Sequence, residues 1–297
     1  MSVRPVVGCG TALVTPFTSA GEVDEAALRA LVDWQIAEGV HFVVPCGSTG
    51  EAATLSIEEH VRVVAITVEQ VAGRLPVVAG AGSNDTQKAI ALSRAVQSVG
   101  ATHLLHVSPM YNKPQQRGIV AHFRAIAAAV DLPIVVYNVP GRTASNIEAR
   151  TTLELATIPG IVAIKEASGN VAQIAEILRE RPASFAVLSG DDALTLPVMA
   201  LGGDGVISVV SNVTPRLMSA LVDACAAGEF ATARALHFRL MPWMTAAFVE
   251  SNPAPVKAAL ALVGRLQNVV RLPLVPMSDA GLPTVRAALM AAGALDT

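Results

Sequence analysis

Residues 101–138 read ATHLLHVSPMYNKPQQRGIVAHFRAIAAAVDLPIVVYN. Two short β-branched runs, 102–107 and 133–138, flank an Ala-rich amphipathic stretch at 116–129, the pattern of one strand–helix–strand unit with parallel strands. The same alternation continues on both sides. Further strand patterns fall at 6–13, 40–45, 76–81, 161–165, 185–189 and 205–209, and helical patterns at 25–39, 57–73, 85–99, 147–157, 171–181, 192–201 and 215–226. Asp24, Ser56 and Asn84 stand where helix N-caps are expected, and Gly100, Gly160 and Gly203 fall in helix-to-strand turns. Eight such units in roughly 230 residues predict an α/β fold of the (β/α)8 TIM-barrel type rather than an open doubly wound sheet. The expected division is a catalytic barrel over 1–228 and a C-terminal helical segment over 229–297, which Pro253, Pro255, Pro273 and Pro276 break into about three helices.

Composition narrows the function. The 297 residues carry 21 basic and 24 acidic side chains, a net charge of −3, with 52% hydrophobic, 15% charged and 4% aromatic residues. No basic face is indicated, which argues against nucleic acid as a partner. The mean hydropathy of +0.51 is high. Gly, Pro or charge nevertheless cuts every apolar run before about 18 residues accumulate, so the reading is a buried core and a buried oligomer interface, with no membrane partner. The opening MSVRPVVGCGTALVTPF reads as a first strand rather than a secretory leader. Cys9, Cys46 and Cys225 are too few and too scattered for a disulfide framework or a CxxC site, and a reducing cytoplasm is the expected location. Cys46 is read as a structural thiol, not the nucleophile.

A barrel of this type carries its chemistry at the C-terminal ends of its strands. The unusual residues predicted there are Cys46-Gly47-Ser48-Thr49-Gly50-Glu51, Tyr111-Asn112-Lys113, Tyr137-Asn138 with Arg142, and Lys165-Glu166. Of the four lysines, Lys165 alone ends an apolar strand, IVAIK. Period-two alternation puts Ile161, Ala163 and Lys165 on one face, aimed at the barrel mouth. A desolvated amine there loses its proton more readily and can attack a carbonyl; an ion-paired lysine at the rim is the ordinary alternative. Tyr111 and Tyr137, the only tyrosines, are placed to shuttle protons beside it, with Ser48 or Thr49 as a relay, where a single buried tyrosine would only fill core. The GSTGE loop offers clustered N–H groups and hydroxyls to a carboxylate, and Arg142 offers a bidentate partner to a second one. Taken singly, the first is also a generic turn and the second a solvated charge.

The segments CGSTGEAATL (46–55), SPMYNKP (108–114), VVYNVPGRT (135–143), AIKEASGN (163–170), LSGDDA (188–193), GVISV (205–209) and NPAPVK (252–257) closely resemble the dihydrodipicolinate synthase family of the N-acetylneuraminate lyase superfamily. The resemblance spans nearly the whole chain. It implies a pyruvate-dependent class I aldolase-type lyase that condenses pyruvate with L-aspartate 4-semialdehyde to 4-hydroxy-tetrahydrodipicolinate, in the diaminopimelate route to lysine. By that resemblance Lys165 forms a Schiff base with pyruvate, which needs no separate cofactor. Tyr137 is the general acid/base, and Ser48 and Tyr111 complete its proton relay. Thr49, Gly47, Gly190 and Ile207 surround pyruvate, and Arg142 takes the semialdehyde carboxylate. It further implies a homotetramer of tight dimers, in which Tyr111 completes the neighbouring subunit's site.

Two departures matter. Ser48 stands where the family commonly has threonine, keeping the hydroxyl but losing the methyl that restrains its rotamer. Lysine-inhibited relatives commonly present a Tyr, a His and a Glu where this chain has Met110, Ile57 and Lys88, so lysine inhibition is expected to be weak or absent. Metal-dependent aldol chemistry is disfavoured because the six histidines are scattered, with only Asp191 and Asp192 as an acidic pair, read as a loop and helix start. GAGSND (80–85) lacks the third glycine of a dinucleotide fingerprint. Two alternatives remain: another 2-oxo-acid aldolase of the superfamily with a different aldehyde, and a catalytically silent keto-acid-binding barrel.

Overall fold

The structure, a computed structural model, describes residues 6–296. The reading of residues 1–5 as part of a leaderless start lies outside the described residues. Eight strands alternate with helices: β1 Gly8–Ala12, α1 Glu25–Ala37, β2 Phe42–Val44, α2 Ile57–Val71, β3 Val78–Gly80, α3 Thr86–Ser98, β4 His103–Val107, α4 Gln116–Ala127, β5 Ile134–Asn138, α5 Pro140–Thr143, α6 Ala149–Leu155, β6 Ile161–Glu166, α7 Val171–Glu180, β7 Ala186–Ser189, α8 Thr195–Ala200, β8 Gly205–Ser208 and α9 Pro215–Ala226. Three more helices follow, α10 Phe230–Ala246, α11 Ala254–Leu262 and α12 Leu282–Ala292.

All strand pairs are parallel, in the order β2-β1-β8-β7-β6-β5-β4-β3. A parallel bridge between Val43 and Val77, with the Gly80 amide donating to the Pro45 carbonyl at 2.9 Å, brings β2 against β3 and rounds the sheet into a barrel.

Strand alternation sorts the core into two layers. Ala12, Phe42, Val44, Val78, Leu105, Val135, Tyr137, Ala163, Leu188 and Ile207 fill the barrel interior. Their sequence neighbours, among them Val43, Ala79, Leu104, Val136, Ile164, Val187 and Val206, face the helices. Gly10 belongs to the inner layer for a steric reason. A Cβ there would stand 2.0–2.4 Å from the Phe42 ring, so that ring occupies the space a side chain would need.

Helix starts follow local chemistry. Asp24 accepts from the Ala27 amide, and Ser56 forms a capping box with Glu59. The cap of α3 is Asp85 rather than the expected Asn84. Its carboxylate accepts the Lys88 amide at 2.8 Å, and either residue type serves this role. Two further boundaries differ from expectation. The stretch 147–157 is preceded by the short helix α5, begun by Pro140 at its first position and carrying Arg142. The stretch 192–201 begins as one 3₁₀ turn, Asp192–Leu194, before α8.

Candidate active site

The C-terminal ends of the strands open into a cavity of about 480 Å³ walled by Gly47, Ser48, Thr49, Tyr137, Arg142, Lys165 and Gly190, together with Met244, Phe248 and Asn252 from the C-terminal segment. A second hollow of about 460 Å³ shares Gly47, Ser48, Tyr137, Arg142 and Asn252 with it and runs past Cys46, His60 and Met110. The two form one cleft over the barrel mouth.

Lys165 is buried one residue before the end of β6. Burial disfavours its charged form and lowers its pKa from the ordinary lysine value to about 8; nearby Asp192 opposes the shift and Arg142 adds to it. Alternation holds from Ala163 to Lys165 but not back to Ile161. The β5–β6 register slips, with Ile134 opposite Ile161 and Val135 opposite Ala163, which leaves Val162 as an extra residue. Ile161 therefore joins the outer layer instead of sharing the lysine's face.

Tyr137 sits opposite Lys165 in register on β5, and the amine lies 4.3 Å from its ring centroid. Burial raises the phenol to about 12, against a lowering influence from Arg142. The residues one step along each strand turn the other way and brace the pair. Asn138 donates to Glu166 at 2.9 Å, the Ser168 amide donates to the same carboxylate at 2.7 Å, and the Ile147 amide donates to Asn138 at 2.9 Å. Gly190, after β7, donates its amide to the Glu166 carbonyl at 2.7 Å. A Cβ there would meet the Ala167 methyl at 2.6 Å and Cγ and Cε of Lys165 at 3.0 and 3.1 Å, so its lack of a side chain makes room for the lysine stem.

Asp192 is buried behind this corner. Its Oδ2 accepts the Val209 and Val210 amides at 3.0 and 3.2 Å, and burial raises the carboxyl to about 6 against the lowering influence of Ser208 and of these two amides. Asp191 caps the 3₁₀ turn. Thr49 is buried on the loop after β2 and accepts a hydrogen bond from Asn252 at 2.9 Å, whereas Ser48 beside it is exposed to the cleft. Cys46 is buried with its thiol toward the His60 carbonyl, and burial pushes its pKa far up, which makes it inert.

Two expected site residues lie elsewhere. Ile207 is fully buried in the inner layer and is not among the residues that wall the cavity. Tyr111 is 88% exposed on the β4–α4 loop, at a positive φ of 72°, and lines neither hollow. The two phenols therefore do not share a site within one chain. Sequence reasoning missed Asn252, Met244 and Phe248. The only signal for Asn252 was its place in the NPAPVK segment, since its partner Thr49 lies 203 residues away.

Chemically, the cleft holds a nucleophilic amine, a protonated phenol against it, a hydroxyl-bearing loop and an arginine at the rim. This set can form an imine with a small carbonyl acid and move protons on and off it. A model of the dihydrodipicolinate synthetase family matches residues 5–292. The chain belongs to this family. Among its dihydrodipicolinate synthetase relatives is the 4-hydroxy-tetrahydrodipicolinate synthase of Koribacter versatilis (strain Ellin345), 55% identical over 271 residues, which are 91% of this chain and 90% of that protein. Family members of known structure include the dihydrodipicolinate synthase from Aquifex aeolicus, at 44% identity and a TM-score of 0.93 over 96% of this chain and 97% of that one. Another is the chloride-inhibited dihydrodipicolinate synthase from Acinetobacter baumannii complexed with pyruvate, at 41% identity and a TM-score of 0.96 over 98% and 100% of the two chains.

Proposed function

We propose that the chain condenses pyruvate with L-aspartate 4-semialdehyde to give 4-hydroxy-tetrahydrodipicolinate, through a Schiff base on Lys165. The observation that carries this reading is the buried amine at the cavity wall, its pKa lowered to about 8, against the face of Tyr137. The neutral amine adds to the pyruvate carbonyl, and the carbinolamine loses water to an iminium ion. The iminium is the electron sink for removal of a methyl proton, and the enamine so formed attacks the aldehyde carbon. The substrate's own amine then closes the ring by displacing Lys165, which restores the enzyme. Because the bound keto acid supplies the sink, the route calls on no metal or prosthetic group.

In this route Tyr137 carries the protons. Ser48 relays them, while Thr49, Gly47 and Gly190 border the pyruvate, Ile207 supports it from the inner layer, and Arg142 at the rim takes the aldehyde's carboxylate. Tyr111 reaches the active site of a neighbouring copy in a homotetramer built from tight dimers, a reading supported by its 88% exposure and by its absence from the walls of its own chain's cleft. Residues 1–228 act as the catalytic barrel and 229–297 as an appended segment. No helix among the described residues is long and apolar enough to cross a membrane, and the three buried cysteines are free, which supports a cytoplasmic location.

Incubation with pyruvate and borohydride followed by intact-mass measurement tests the mechanism. A reduced pyruvyl adduct on the wild type and none on Lys165→Ala supports it. No adduct on the wild type, where a control aldolase is labelled, sinks it in favour of a silent barrel. Product analysis with aspartate semialdehyde against sugar-derived aldehydes then identifies the acceptor and separates this activity from other 2-oxo-acid aldolases.

A further inference from the structure

We infer that Asn252 is a positioning residue for the keto acid: it forces the Thr49 hydroxyl to act as a hydrogen-bond donor into the cavity. This rests on the Schiff-base reading above and extends it to the C-terminal segment.

A threonine hydroxyl has one proton to give and lone pairs to receive. The Asn252 amide nitrogen donates to Thr49 Oγ1 at 2.9 Å, and both residues are buried, 6% and 3% exposed. An N–H cannot accept, so the Thr49 proton must point elsewhere. No protein acceptor among the described residues takes it, and both side chains line the cavity that holds Lys165. Its natural partner is the carboxylate of a 2-oxo acid whose carbonyl carbon meets the amine.

Two further features show that Asn252 does more than fill space. Its Oδ1 is buried without a hydrogen-bond partner among the described residues, a cost that a packing role alone does not explain. Moreover, the same short segment grips the loop a second time. Lys257, in the first turns of α11, is fully buried and forms an ion pair with Glu51 at 2.5 Å, two residues beyond Thr49. The Arg271 amide donates to the other oxygen of Glu51 at 3.0 Å. The loop that carries Ser48 and Thr49 is thus held from the C-terminal segment at both 49 and 51, which preorganises its hydroxyls before substrate arrives.

Asparagine is required here by the polarity of the bond. An ionised aspartate has the same shape, yet it would accept the Thr49 proton, withdraw the donor from the cavity and set a negative charge near an anionic substrate. Alanine leaves a hole but keeps Thr49 free to donate. Polarity and packing therefore rank the two variants in opposite orders.

The test measures, at pH 8, the pyruvate concentration that half-saturates borohydride-trapped adduct on the wild type, Asn252→Ala, Asn252→Asp and Thr49→Val proteins and on Thr49→Val/Asn252→Ala. Thermal melting confirms that each is folded. The expected result is a rise of roughly tenfold for Asn252→Ala and a larger one for Asn252→Asp. KM for pyruvate should follow these rises, KM for the aldehyde should stay put, and Asn252→Ala should add nothing in the Thr49→Val background. If Asn252→Ala does not fold, the isosteric Asn252→Asp decides alone. Asn252→Asp within twofold of wild type, or an undiminished Asn252→Ala effect without the Thr49 hydroxyl, overturns the inference while leaving the Schiff base standing. Absence of any adduct on the wild type overturns both.

Discussion

Lys165 and Tyr137 are register partners on adjacent strands, and the amine of one lies 4.3 Å from the ring centroid of the other. Burial moves their proton affinities in opposite senses, the lysine down to about 8 and the phenol up to about 12. At neutral pH the phenol keeps its proton, while roughly a tenth of the amine has lost its own. One corner of the barrel thus presents a nucleophile and an acid side by side, which carbinolamine formation and dehydration both require.

A pH dependence follows directly. Only the neutral amine attacks a carbonyl, so the rate of pyruvate adduct formation should climb about tenfold per pH unit below 8 and level off above it. Rapid-quench trapping with borohydride between pH 6 and 10 reads this profile. A rate still rising steeply at pH 9.5 would show that burial does not activate this amine.

The same shift costs stability. Lys165 binds its proton less tightly folded than unfolded, so its penalty is fully present below about pH 8 and fades as pH rises toward the unfolded value near 10.4. Lys165→Met removes the penalty. It should be more stable than wild type at pH 7 by on the order of 1–3 kcal/mol, with the gap closing as pH rises toward 10. Urea titrations at pH 7 and 9.5 compare the two proteins, and a gap that widens with pH would contradict this account.

Gly190→Ala probes the room left for the lysine stem. The added methyl falls 2.6 Å from Cβ of Ala167 and about 3 Å from two Lys165 carbons, so either Lys165 leaves its rotamer or β7 shifts. Adduct formation should drop at least tenfold, with a loss of stability of about 1–3 kcal/mol. Wild-type trapping rates in this variant would show that the lysine does not pass Gly190 in the reactive enzyme.

Period-two alternation explains why so much of this corner is legible in the sequence. IVVYN and IVAIK are short, apolar and bounded by turns, so both Tyr137 and Lys165 could be placed at strand ends, and Lys165 on an inward face, from local pattern alone. Local pattern fails where a residue's position depends on a distant partner. The extra residue at Val162, which turns Ile161 outward, arises from pairing with β5, and nothing within IVAIK encodes it. Asn252 shares a wall with Thr49 only because the C-terminal segment folds back over the barrel mouth. Tyr111 sits at a strand end, as read, yet its loop turns through a positive φ and carries the phenol out to solvent, which a strand-end rule does not foresee.

Response to free lysine should be weak. Met110 lines the second hollow, while Ile57 at the start of α2 and Lys88 in the first turn of α3 are exposed. A thioether, an aliphatic chain and an ammonium supply no acidic or phenolic partner for lysine's two ammonium groups, and Lys88 repels them. Titrating lysine into the condensation assay should leave most activity at millimolar concentrations. Strong, saturating inhibition well below millimolar would refute this.

The buried pair of Glu51 and Lys257 should behave as an anchor whose halves depend on each other. Lys257 is fully buried, lies 2.5 Å from the carboxylate, donates to the Val269 carbonyl at 2.8 Å and sits 4.0 Å from the Phe17 ring centroid. Removing one partner strands the other charge away from water, so Glu51→Leu or Lys257→Met alone should cost about 3–5 kcal/mol. The double variant strands neither charge and should recover most of that loss, giving a coupling energy of several kcal/mol in a double-mutant cycle read by urea unfolding. Its pyruvate half-saturation should nonetheless remain above wild type, because the loop bearing Ser48 and Thr49 has lost a fixed point. Single-variant costs that simply add would mean that the two charges are independently solvated and that the C-terminal segment does not hold this loop through them.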